Sequence, residues 1–135
     1  MCMAREEEAI IQTFTNYTQM FQTLDPHLTL SYFHIPCMFI PPQGVRVLAT
    51  ATDVEALLTK VMESLNARNY ARSELMHRYV KQMSGNTALV SVSRIRYATD
   101  GRELERVGET YTLRKTEDGW KIAVAMIHDP DTVLR

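Results

Sequence analysis

The chain has 135 residues, 45% of them apolar and 23% charged, which suits one domain with its own core and is too apolar for a disordered chain. A net charge of −1 argues against a strongly basic nucleic-acid binder, and no apolar run approaches the ~20 residues of a membrane-spanning helix. The polar, acidic start (Met1 to Glu8) is unlike a secretory signal, and two cysteines, Cys2 and Cys37, are too few for a disulfide scaffold; a cytoplasmic protein with reduced thiols is expected.

Charge is unevenly placed. Residues 1–67 hold three Lys or Arg and seven Asp or Glu, whereas residues 68–135 hold twelve and nine. Ile10, Phe14, Tyr17, Phe21 and Leu24 recur at helical spacing and predict an amphipathic first helix, with Glu6, Glu7 and Glu8 in its first turn where negative charge suits the dipole. Asp25-Pro26 restarts the chain as a cap and first helical residue, predicting a short second helix through about residue 33, stopped by Pro36. Residues 35–40 read as a strand, Pro41-Pro42-Gln43-Gly44 as a turn and 45–48 as a second short strand. Thr52 with Glu55 matches a capping box, and Val54, Leu57, Leu58, Val61, Met62 and Leu65 then mark a third helix fading by Asn69.

Beyond residue 72 the texture changes. Turn signals at Ser84-Gly85-Asn86, Asp100-Gly101 and Glu117-Asp118-Gly119 divide the remainder into runs at 72–83, 87–98, 103–115 and 120–128. Long runs joined by tight turns predict an antiparallel meander. Within 72–83 two phases compete, Leu75, His77 and Tyr79 against Met76, Arg78 and Val80, and a bulge there would switch between them. Helices early and a meander late make an α+β fold with helices on one face of the sheet.

This element order, the Tyr32-Phe33 pair closing the second helix, and the closing Asp118-Gly119-Trp120-Lys121-Ile122 resemble the superfamily of nuclear transport factor 2, ketosteroid isomerase and SnoaL-like proteins. The resemblance covers nearly all of the chain. It implies a single cone-shaped, cystatin-like domain over 1–135, with three N-terminal helices on a curved antiparallel sheet and an apolar pocket open at one end. It does not imply a reaction, because function resides in the site.

In the ketosteroid isomerases a Tyr on the first helix and a neutral carboxylic acid donate hydrogen bonds to the substrate oxygen, while an Asp moves the proton. By that resemblance Tyr17 matches the Tyr. The base position holds Pro41, which cannot take a proton, and residues 26–52 contain no Asp or Glu. Val107, Glu109, Tyr111 and Leu113 share one face at period two, so that face is expected inward; a desolvated Glu109 there can donate as a neutral acid, act as a base, or pair with an Arg. His128 is expected near an end of the cavity on a face shared with Ile122, Val124 and Met126. The catalytic candidates are therefore Tyr17, Glu109 and His128.

The resemblance also favours the phase that turns Leu89, Ser91, Ser93 and Ile95 inward, with both hydroxyls lining the pocket, and Val90, Val92 and Arg94 outward; Phe33, Tyr111 and Met126 complete the expected ligand contacts. Arg94, Arg96, Arg102, Arg106 and Arg114 cluster on the middle strands, to pair with Glu103, Glu105 and other acids or to hold an anion. The spacing of His128, Asp129 and Asp131 is generic, and neither a metal nor another cofactor is expected. Residues 122–127 are apolar on both faces, which predicts a homodimer through the outer sheet face near Val90, Val92, Ala125 and Ile127. The expected function is binding of an apolar small molecule, or isomerase- or dehydratase-type proton transfer without the usual base. The alternative is a non-catalytic dimeric assembly or partner-binding module.

Overall fold

The computed structural model describes residues 5–135; Cys2 lies outside them. Helix α1 (Glu7–Gln22) buries Ile10, Phe14, Tyr17 and Phe21 of the predicted stripe, while Leu24 lies past its end in the left-handed region at φ +56°. Full burial of one such side chain is worth about 1.5–3 kcal/mol, so this stripe anchors the helix. Asp25 caps α2 (Pro26–Thr29), its side chain accepting from the Leu28 N–H at 3.1 Å, and a 3-10 turn (Leu30–Tyr32) follows. Strand β1 (Phe33–Ile40) therefore starts two residues before the predicted run.

Strand β2 (Arg46–Leu48) leads into α3 (Ala51–Ala67). The capping box lies two residues earlier than expected. Thr50 Oγ1 accepts from the Asp53 N–H and Asp53 Oδ2 accepts from the Thr50 N–H, each at 3.2 Å. Glu55 instead meets His27 Nδ1 at 3.0 Å.

The meander is β3 (Tyr70–Gln82), β4 (Thr87–Ala98), β5 (Glu103–Thr116) and β6 (Gly119–His128). Gly101 at φ +88° and Gly119 at φ +101° occupy the left-handed positions that close two of its turns. The six strands run in the order β2-β1-β6-β5-β4-β3. The sheet is mixed rather than wholly antiparallel, because β1 lies parallel to β6. The chain between them allows it: β2, α3 and β3 to β5 separate β1 from β6, long enough for the two strands to pair in parallel without a hairpin.

Bulges set which way side chains point. Ala71 and Met76 are extra residues in β3, the second of them inside the stretch where two phases compete. Leu104 is extra in β5, since Arg96 faces Glu105 while Tyr97 faces Glu103. Ala123 is extra in β6, since Leu113 faces Ile122 while Thr112 faces Val124. Each extra residue moves every later side chain to the opposite face.

Candidate functional site

The concave face of the sheet and the apolar side of the helices enclose a cavity of about 170 Å³. Tyr17 and Phe21 of α1 line it, with Phe33 and Cys37 of β1, Leu58 of α3, and Glu109 and Tyr111 of β5. The predicted residues Tyr17, Phe33, Glu109 and Tyr111 thus come together in one apolar space. Tyr17 packs edge-on against Phe33 and Tyr111, with ring centroids 5.7 and 6.0 Å apart.

Glu109 is 6% exposed and Arg94 4%. Arg94 Nε lies 2.6 Å from Glu109 Oε1, and the Tyr111 hydroxyl donates to Glu109 Oε2 at 2.7 Å. A desolvated carboxylate needs such partners, because an unpaired buried charge is very costly. Of the three roles open to Glu109, donation as a neutral acid does not fit this arrangement, because the side chain pairs with Arg94 and accepts from Tyr111. Arg94 also lies over the Phe14 ring, 5.7 Å from its centroid.

The phenols are held protonated. Burial pushes Tyr17 well above its ordinary range, the Glu109 carboxylate adds to this, and Arg94 and Tyr111 oppose it. Tyr111 is raised by burial first and by Glu109 second. Burial pushes the Cys37 thiol up to about 11, so at neutral pH it is a thiol rather than a nucleophilic thiolate.

Four expected site residues lie elsewhere. Ser91 and Ser93 face away from the cavity. A plain hairpin about Asp100 would set Ser91 opposite Glu109; the extra residue Leu104 sets Val92 there. Val90, Val92 and Arg94 consequently point inward, and Arg94 is the site residue that the sequence reading placed outside. Met126 and His128 pair with Thr110 and Gly108 on the outer face, because the Ala123 bulge separates them from Ile122. Met126 is 39% exposed there.

His128 and Ser91 do meet, but in an outer-face network. His128 Nε2 is 2.7 Å from Thr110 Oγ1, which is 2.9 Å from Ser91 Oγ. Ser91 Oγ also accepts from the Leu134 N–H at 3.1 Å, and His77 Nε2 is 2.8 Å from the Leu134 carbonyl oxygen. These contacts tie the last residues across the sheet. The four residues expected at an outer interface are also turned inward: Val90 and Val92 are fully buried, and Ala125 and Ile127 line the cavity.

Pro41 borders a wider groove outside the cavity, with Gln43, Arg46, Lys60, Arg68 and Arg96. Arg96 and Glu105 stand at the junction, since both also line the cavity. Arg68 and Arg96 each hold one Glu105 oxygen at 2.8 Å. Burial alone would raise the Glu105 carboxyl; the two guanidinium groups outweigh it and hold the carboxyl below its usual range. Among the described residues no group of three or more His, Cys, Asp or Glu is arranged to hold a metal ion, and no helix is long and apolar enough to cross a membrane.

Residues 6–130 match a protein family described as NTF2-like protein (DUF6841). Among solved structures, an NTF2-like protein with a cystatin-like fold from Novosphingobium aromaticivorans is similar at TM-score 0.71 and 17% identity, over 89% of this chain and 79% of that one. Aln2 from a Streptomyces species gives TM-score 0.76 and 14% identity over 96% of each chain. A ketosteroid isomerase-like protein from Erwinia carotovora atroseptica gives 0.68 and 17%, over 91% of this chain and 95% of that one. A search of curated proteins finds no match.

Proposed function

The chain belongs to the NTF2-like protein (DUF6841) family, and from that premise we propose that its cone binds a compact, largely apolar small molecule bearing an oxygen-containing polar group. The observation that carries this reading is a polar pair kept inside a mostly apolar cavity: Tyr17 and Glu109 line a space bounded mainly by aromatic and aliphatic side chains, with Arg96 and Glu105 where it meets the outer groove. Pockets of that kind, apolar with a few placed polar groups, are ligand sites by default. The volume of about 170 Å³ compares with the ~150 Å³ cavity that takes up benzene, which favours a single-ring ligand. Tyr17 would supply the hydrogen-bond donor by turning its hydroxyl from Tyr111, whose own hydrogen goes to Glu109.

The same pair favours a second reading, proton transfer beside that oxygen. Tyr17 would polarise a carbonyl while a Glu109 oxygen accepts the adjacent C–H proton and returns it to another carbon. The ketosteroid isomerase-like name of the Erwinia neighbour is consistent with this chemistry, whereas Pro41, where the family resemblance places the base, argues against the ordinary form of it.

Calorimetric titration with toluene and cyclohexanone, with deuterium exchange at the α-carbons of the ketone, tests both readings. Both probes are expected to bind. Tyr17→Phe should weaken cyclohexanone about tenfold and leave toluene unchanged, the loss of one hydrogen bond in an apolar site. Exchange catalysed by the protein and lost in Glu109→Gln would establish the proton-transfer reading. Binding without exchange restricts the protein to binding, and no binding of either probe favours the assembly module.

A further inference from the structure

The groove at the cavity mouth carries an excess of positive charge that the cavity itself does not need. Arg46, Lys60, Arg68 and Arg96 all border it, and no Asp or Glu does. Glu105, at the junction with the cavity, is one carboxylate shared between Arg68 and Arg96. Arg46 and Lys60 form no ion pair with any described residue. Asp53 borders a neighbouring groove that they share, and its carboxylate is engaged in capping α3. The placement runs against the local composition: the first half of the chain is acidic and has only three basic residues, Arg5, Arg46 and Lys60, two of which stand here. Finally, Arg96 Nε is buried without a hydrogen-bond partner, on the side chain that borders both cavity and groove.

We infer that the ligand is a small carboxylic acid, its ring or short apolar body in the cavity and its carboxylate at the mouth between Arg96, Arg68, Lys60 and Arg46. This rests on the cavity-binding reading above and narrows its ligand class. Guanidinium groups match a carboxylate in shape and charge, and Glu105 shows that this pair of arginines holds one in place at 2.8 Å. The acid is bound as its anion. The cationic groove also draws such anions from solution and is weakened by salt.

Calorimetric titration with benzoate, benzamide and phenyl phosphate separates the possibilities. Benzamide has nearly the shape of benzoate without its charge, so it reports the cavity alone. Benzoate is expected to bind at least about tenfold more tightly than benzamide, the scale of one charge-assisted hydrogen bond. Arg46→Gln and Lys60→Gln, both at exposed positions that leave the core intact, should each weaken benzoate severalfold and leave benzamide unchanged. Equal affinity for benzoate and benzamide overturns the inference and leaves cavity binding standing. Tighter binding of phenyl phosphate than of benzoate also overturns it, in favour of a phosphate ester. If none of the three binds, both readings fall.

Discussion

The pairing of Arg94 with Glu109 dominates the interior at the residue scale. Each is at least nine-tenths buried, so neither charge can be left alone. Glu109→Gln removes one charge and strands the other, which costs about 3–5 kcal/mol by analogy with other broken buried pairs. The double substitution Arg94→Met with Glu109→Leu removes both charges and is expected to restore stability to about that of the starting protein. Urea denaturation measures all three. A double variant that regains stability but no longer takes up cyclohexanone shows that the pair is kept for the ligand rather than for the fold. A single variant as stable as the starting protein would contradict the buried ion pair itself.

At the level of elements, the overlap of two capping signals illustrates what a sequence can and cannot specify. Thr50 with Asp53 and Thr52 with Glu55 both satisfy the same pattern, and α3 uses the first. Thr50→Ala should therefore cost about 1 kcal/mol, and Thr52→Ala, inside the first turn, a few tenths at most. Thermal melts of the two variants decide it, and the reverse order would return the cap to Thr52. The strands show the same limit more sharply. Their ends were legible because glycine turns punctuate them, and the inward set Val107, Glu109, Tyr111 and Leu113 was legible from period two. The bulges at Leu104 and Ala123 were not, because neither residue carries a glycine or other local mark. Those two insertions alone turn Ser91, Ser93, Met126 and His128 outward and Arg94 inward. Arg94 could have been found by asking which cation neutralises an inward Glu109.

For the molecule as a whole, element order was enough to predict the family fold, since three helices followed by four long strands pack in few ways. It did not reveal the parallel contact of β1 with β6, which joins segments far apart in the chain and has no local signature. That contact helps to form the cavity, whose lining includes Phe33, Cys37 and Phe39 of β1 and Ala125 and Ile127 of β6. The outer face, apolar in the sequence, is partly covered by the chain itself, where Leu134 bonds to Ser91 and His77. The central claim is that the enclosed space is a ligand site. Leu57 borders both the cavity and the outer groove, so Leu57→Trp plugs the opening while leaving Tyr17, Arg94 and Glu109 in place. The most direct measurement is the affinity of toluene for the native and plugged proteins. The account predicts binding to the native protein and at least a tenfold loss on plugging, about 1.4 kcal/mol; equal affinity in the two, or none in either, would contradict it.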